Sequence, residues 1–144
     1  MGYLDDYAAS EAQRERRERQ RKQAFRALVI VVVVAGLLYY WFKNYREEDR
    51  VKQFLATLER GDYPAAYAFW GCRVESPCAN YDYKSFLEDW GSDPPSKIGK
   101  LRSYRLGASH ESGSGVIIAV AVNDRPAIKL WVEKKDGMVG FAPP

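Results

Sequence analysis

The hydrophobic pattern of the chain changes near residue 45, where one unbroken apolar run gives way to shorter periodic segments. Ala27–Phe42 reads ALVIVVVVAGLLYYWF, which is 16 residues without a charged side chain, and a run that begins at Ala24 has 19 residues with Arg26 as its one charge. A helix of this length approaches the hydrocarbon thickness of a bilayer, about 30 Å. A lone strand would leave its backbone groups unpaired in lipid, so the pattern predicts a transmembrane helix over residues 24–43.

Two other interpretations of the run are a cleaved signal peptide and a buried element of a soluble protein. The run ends in Tyr-Tyr-Trp-Phe-Lys, which suits a signal peptidase poorly, and it is apolar on every helical face. The aromatic residues at its end, Tyr39, Tyr40 and Trp41, are typical of an interfacial belt. We therefore favour an uncleaved anchor.

Helical periodicity begins again after the run. Val51, Phe54, Leu55 and Leu58 repeat at i, i+3, i+4 and i+7, which predicts a helix over residues 47–60 that ends at Gly61. Asp62 and Pro64 then favour a second helix over residues 63–70, with Asp62 as its cap. A similar repeat predicts a third helix from Tyr83 to Trp90, capped by Asp82.

From about residue 98 the apolar period falls to two. Four strands are predicted, over residues 101–109, 116–122, 127–133 and 138–142, with a hairpin loop at Glu111–Gly115. Short turns between consecutive strands require antiparallel neighbours. The predicted fold class is α+β: one N-terminal transmembrane helix, then a small domain of three helices packed on a four-stranded antiparallel meander.

The chain is predicted to have a tail and a transmembrane helix before its domain. Residues 1–23 form a basic cytoplasmic tail, and the first ten of them are expected to have no regular structure. The helix follows at 24–43 and an extracytoplasmic domain at 44–144. The cations close to the helix either bind anionic lipid or act only as the topology signal of the anchor. They are Arg14, Arg16, Arg17, Arg19, Arg21, Lys22 and Arg26.

The number of cations predicts the orientation of the helix. Seven Lys and Arg residues precede the run within about 20 residues, and five follow it. The bias places the N-terminus in the cytoplasm and the domain in the periplasm or outside the cell, so the predicted location is the inner membrane. A net charge of +3 is too small to indicate binding to nucleic acid.

Cys72 and Cys78 lie in the loop between the second and third helices. An extracytoplasmic location favours a structural disulfide between them, although free thiols or a redox-active pair remain open. The spacing differs from the C-x-x-C of thioredoxin-like enzymes. Two cysteines and one histidine, His110, disfavour a metal site, and no phosphate loop or nucleophile elbow occurs, so no cofactor and no catalytic residue are predicted.

The stretch VKQFLATLERGDYPAAYAFW resembles the opening helical pair of the nuclear transport factor/SnoaL-like superfamily, which has a cystatin-like α+β fold. The motif is GDYxxAY, from Gly61 to Tyr67, and the likeness in element order covers residues 48–144. The stretches YDYKSFLEDWG, SGSGVIIAVAVN and IKLWVEKKDGMVGF resemble bacterial single-pass membrane proteins. The resemblance implies a curved sheet that forms a cone. Enzymes of this superfamily, such as ketosteroid isomerase, place an acidic side chain inside the cone.

Two functions follow as expectations. In the first, the chain is a non-catalytic membrane-anchored accessory or scaffold protein whose domain binds a protein partner, with contacts near Trp70, Trp90 or Trp131. In the second, it is a small-ligand-binding or isomerase/dehydratase-like enzyme that uses the interior of the cone. The predicted strand Val116–Val122 offers only aliphatic side chains to that interior, which favours the first function. A redox or stress-sensing role through the cysteines is a third possibility.

Overall fold

The computed structural model describes residues 2–144, except for the side chains of residues 3–5. The chain forms two compact units, one up to Lys43 and one over Asn44–Pro144. The first unit is a single helix and the second is an α+β domain. The predicted fold class is confirmed at this level: three helices and a four-stranded antiparallel sheet follow a long helix whose second half is apolar.

The first unit is helix α1, Tyr3–Phe42. Part of this helix is long and apolar enough to cross a membrane, and none of that part is buried by the protein. The absence of regular structure predicted for residues 1–10 is wrong from Tyr3 onward, while Met1 lies outside the described residues. Extending an existing helix by one residue costs little free energy, and Ala8 and Ala9 are strong helix formers, so α1 continues into this region.

The first two helices of the domain are joined by a tight turn that the sequence predicts. Helix α2 spans Tyr45–Glu59 and helix α3 spans Tyr63–Ala68. Gly61 has a φ of +77°, and its N–H donates to the carbonyl of Leu58 while that of Asp62 donates to Thr57, which is a Schellman motif. The Asp62 carboxylate accepts from the N–H of Ala65 at 3.2 Å, so the same residue begins α3.

Helix α4 spans Tyr83–Trp90 as predicted, and the Asp82 carboxylate accepts from the N–H of Ser85 at 2.8 Å. Gly91 ends the helix, where a Cβ would lie 2.5 Å from the carbonyl oxygen of Leu87. The chain then crosses to the sheet through an irregular segment that ends at Ser103.

The sheet has the strand order β1-β2-β3-β4. Its strands are Tyr104–Ser112, Gly115–Val122, Ile128–Glu133 and Val139–Phe141. The predicted loop Glu111–Gly115 is too long, because Glu111 pairs with Val116 and Ser112 pairs with Gly115. Only Gly113 and Ser114 remain in the turn, which is the short connection that matches strand twist.

Helix α2 packs on one face of the sheet. Its residues Val51, Phe54 and Leu55 are fully buried in the same cluster as Ile118 of β2 and Leu130 of β3. The N–H of Val139 on β4 donates to the carbonyl of Phe69 at 2.8 Å, which ties the last strand to the end of α3. The domain therefore has two layers around one core.

Candidate functional site

The interior of the domain, where a cone-shaped fold would hold a ligand, is occupied by side chains. Val116 and Ile118, which β2 directs inward, are 0% exposed. The ring of Phe54 lies 4.7 Å from the ring of Trp70 and 5.1 Å from that of Trp90, measured between centroids. These spacings are those of aromatic pairs in direct contact.

We expect partner contacts near three tryptophans, and these three side chains differ in how far they are buried. Trp70 and Trp90 are only 8% and 2% exposed, so they belong to the core, and a contact through their own rings is not supported. Trp131 is partly exposed on the other face of the sheet and lies over Gly115. The amphipathic pattern of the sequence could not show that Trp70 and Trp90 fill the core while Trp131 covers the outer face of the sheet.

The tyrosines of the domain also lie in different environments. Tyr67 is fully buried, and its hydroxyl donates to the carbonyl of Tyr81 at 2.6 Å and accepts from the N–H of Cys78 at 3.3 Å. Tyr104 packs against the core from β1. Tyr63 and Tyr83 come together at an opening on the surface.

That opening is a groove of about 430 Å³ along α4, here called the α4 groove. Its wall is mostly apolar with polar groups at the rim, and it includes Tyr63, Tyr83, Lys84, Leu87, Glu88 and Pro95. Burial, followed by the nearby Asp62 carboxylate, raises the pKa of Tyr83, so its phenol stays protonated. An aromatic wall with polar edges suits an extended peptide segment.

A polar network fixes the segment that follows α4. The Asp89 carboxylate accepts from the Tyr81 hydroxyl at 2.9 Å and from Lys97 at 2.6 Å. Burial, with help from the hydrogen bond to Asp89, raises the pKa of Tyr81 well above that of a free phenol. The Tyr81 phenol is therefore a hydrogen-bond donor and not a base at neutral pH.

Cys72 and Cys78 are joined by a disulfide, with their Cα atoms 5.3 Å apart. Cys72 is buried in the core, whereas residues 73–77 between them are exposed. Cys78 also donates its N–H to the hydroxyl of Tyr67 on α3, so the end of the loop is held both by the disulfide and by a hydrogen bond to that helix. The arrangement is that of a structural cross-link.

A second groove lies at the start of α2 and is here called the Glu47 groove. It has a volume of about 280 Å³ and is formed by the first turns of α2 and by the β3–β4 turn. Glu47 is only 7% exposed, and Arg50 donates from Nε to the carbonyl of Gly137 at 3.1 Å, which holds the turn against the helix. The sequence prediction missed this site, although Glu47 lies four residues before Val51 on the buried stripe of the helix.

At the start of α2, the side chain of Asn44 donates to Ser109 at 3.2 Å, and Ser109 donates to Glu48 at 2.5 Å. Asn44 is 5% exposed. No described residue donates a hydrogen bond to Oδ1 of Asn44 or to Oε2 of Glu47, and both atoms are buried. Two acceptors without a donor at one end of the domain are unusual in folded proteins.

The residues predicted in the first unit all lie on α1. The seven cations from Arg14 to Arg26 are exposed and, at 3.6 residues per turn, point in all directions around the helix. Tyr39, Tyr40 and Trp41 are 76%, 70% and 79% exposed, and the ammonium of Lys43 lies 5.5 Å from the centroid of the Tyr40 ring. The structure thus places the cations and the aromatic residues on either side of the apolar segment.

His110 is exposed on the edge strand β1. Among the described residues, no three His, Cys, Asp or Glu side chains lie close enough together to hold a metal ion.

In comparisons with known proteins, the chain matches no protein family, no curated protein and no solved structure.

Proposed function

We propose that this chain is a membrane-anchored, non-catalytic accessory protein whose α+β domain lies outside the cytoplasm and binds a protein partner. The observation that carries the proposal is the exposure of the apolar segment of α1. Ile30, Val32 and Leu37 are 62%, 62% and 57% exposed, although each favours an apolar environment. A bilayer would cover this surface, at about 25 cal/mol for each Å² removed from water.

Two features support the orientation. More cations precede the apolar segment than follow it, seven against five, which favours a cytoplasmic N-terminus. The bond between Cys72 and Cys78 suits an oxidising compartment. Together they favour an inner-membrane protein with its domain in the periplasm or outside the cell.

The packing of the domain favours binding over catalysis. The inward positions of β2 are aliphatic and meet the aromatic cluster around Phe54. The alternative function, a small-ligand-binding or isomerase/dehydratase-like enzyme, needs space and an acid in this region. The region is filled instead, and the α4 groove on the surface is a better candidate for contact with a partner.

We assign the protein partner to the α4 groove. Tyr63 and Tyr83 provide rigid aromatic surface, and the charged side chains of the groove, one positive and two negative, are Lys84, Glu88 and Asp93. Rigid aromatic side chains lose little conformational entropy when they are covered, which is why interfaces use them. The groove therefore fits an extended apolar segment of a partner protein, flanked by polar groups.

The test is site-specific photo-crosslinking in native membranes with the full chain. A crosslinker at the exposed position Lys84 should give a discrete adduct, and the same crosslinker at Arg105, which is exposed on β1, should not. Tyr83→Ala should weaken the Lys84 adduct. Equal labelling from both positions, or extraction of the chain by alkaline carbonate, would contradict the proposal.

A further inference from the structure

The Glu47 groove contains an acid that the proposed partner site does not use. Glu47 is more than nine-tenths buried, contributes to the wall of an open groove, and has a buried oxygen that receives no hydrogen bond from any described residue. Buried acceptors are expensive to leave without donors, so the Glu47 carboxylate indicates a ligand that donates hydrogen bonds.

The rest of the groove has the opposite charge. Arg46 and Lys135 are exposed at its wall, whereas its other charged side chains already have partners inside the domain. Arg50 donates to Gly137, Lys134 pairs with Glu111, Glu133 accepts from Ser114 and Asp136 accepts from the N–H of Met138. The groove thus offers a buried acceptor and, beside it, two exposed cations.

We propose that the Glu47 groove binds a zwitterionic ligand that carries a primary ammonium and a phosphate, of the ethanolamine phosphate class. The ammonium donates to the Glu47 carboxylate, and the phosphate binds Arg46 and Lys135. A simple anion would leave the Glu47 carboxylate without a donor, and a simple cation would meet the two positive side chains. A ligand with both charges satisfies each part of the groove.

One source of this chemistry is the headgroup of phosphatidylethanolamine. The source rests on the proposed function, which anchors the chain in a bilayer, and on the short distance in sequence between Phe42 and two residues of the groove: Arg46 comes four residues after Phe42, and Glu47 five. The other source is a free ethanolamine phosphate. The chemistry of the groove is the same for both, so the experiment has to separate them.

The experiment uses the full chain in nanodiscs and measures retained lipid by native mass spectrometry. Phosphatidylcholine is the matched control, because its quaternary ammonium has the same charge and no N–H donor. We expect the ethanolamine lipid to be retained about tenfold over the choline lipid, as for the loss of charge-assisted hydrogen bonds. Glu47→Gln should abolish this preference, and Glu59→Gln, an exposed position on the same helix, should leave it unchanged.

A second variant protects the test against misfolding of the first. Arg46→Gln with Lys135→Gln changes only exposed side chains and should weaken retention of both lipids about equally, so their ratio should persist. Equal retention of the two lipids by the wild-type chain, together with no binding of ethanolamine phosphate, would overturn the proposal, and so would a preference that survives Glu47→Gln. Retention of phosphatidylglycerol as strong as that of the ethanolamine lipid would also overturn it.

The soluble arm adds ethanolamine phosphate or glycine to the full chain in detergent. Binding of ethanolamine phosphate without a preference in nanodiscs would support the site and assign it to a free ligand. Equal binding of glycine would overturn the requirement for phosphate. If the chain binds ethanolamine phosphate but is extracted from membranes by carbonate, the site stands and the proposed membrane anchorage fails.

Discussion

The hydroxyl of Tyr67 and the carbonyl of Tyr81 are joined by a hydrogen bond of 2.6 Å that connects α3 to the end of the disulfide loop. The same hydroxyl accepts from the N–H of Cys78 at 3.3 Å, so one buried phenol satisfies two backbone groups of the loop. The loop is short and has little regular structure of its own. Its backbone therefore depends on a side chain from the core.

Tyr67→Phe tests this dependence. The substitution keeps the ring in the core and leaves two partly buried backbone groups without their partner, so we expect a loss of about 1–3 kcal/mol in the free energy of unfolding. For a domain of this size the midpoint of thermal unfolding should fall by about 4–8 °C for each kcal/mol. Near-ultraviolet circular dichroism of the full chain in detergent would measure it. Tyr63→Phe, at a partly exposed position, is the control, and equal midpoints for the two variants would refute the role of Tyr67.

Gly115 and Gly140 provide a matched pair in the sheet. A Cβ on Gly115 would lie 2.5 Å from Cε2 of Trp131 and 2.5 Å from the carbonyl oxygen of Val132, whereas a Cβ on Gly140 has no neighbour within 4 Å. Gly115→Ala should destabilise the domain by about 1–3 kcal/mol, because it displaces the indole or the backbone of β3.

Gly140→Ala should change stability by less than about 0.5 kcal/mol. The comparison uses the same thermal measurement, together with the fluorescence of Trp131 as a local signal. A Gly115→Ala variant as stable as Gly140→Ala would mean that the indole moves aside at no cost.

The features that the sequence predicted well are local ones. Asp62 and Asp82 cap α3 and α4 through their own carboxylates, and Gly61 takes the left-handed conformation that ends α2. Each of these depends on a few neighbouring residues whose chemistry is visible in the sequence. The antiparallel order of the strands follows in the same way from the short turns between them.

The features that it missed depend on distant contacts. The repeat that predicts α2 contains only apolar residues, yet Glu47 is buried on the same side of the helix as Val51. Trp70 and Trp90 both lie in amphipathic segments, and contacts with rings distant in sequence, such as Phe54, place them inside the core. Periodicity identifies which residues share a face of a helix, and it does not say how far that face is covered.

The pKa of Tyr81 predicts an alkaline limit to stability. Burial and the Asp89 carboxylate raise this pKa, so the folded state favours the neutral phenol, while the phenol of the unfolded chain titrates near pH 10, its ordinary value. The stabilisation is therefore complete below about pH 10 and is lost as the pH rises further toward the pKa of the folded state.

Tyr81→Phe should flatten the decline in stability above about pH 10, because the variant has no phenol to ionise at this position. At neutral pH it should be less stable than the wild type, since the hydrogen bond to Asp89 is lost. Thermal midpoints measured between neutral pH and about pH 11, with Tyr63→Phe as the control, would show both effects. Parallel pH profiles for Tyr81→Phe and the wild type would contradict the assignment.

The bond between Cys72 and Cys78 closes a loop with a sequence separation of 6 residues. The chain-entropy relation for a loop of about seven residues gives roughly 2.4 kcal/mol of stabilisation, through the restricted unfolded state. Reduction of the wild-type chain should therefore lower the thermal midpoint by about 10–20 °C. The double variant Cys72→Ala with Cys78→Ala should be destabilised similarly and should not respond to reductant. If reduction leaves the wild-type midpoint unchanged, the loop is held by Tyr67 alone and the cysteines act in another way, such as the redox sensing that the sequence left open.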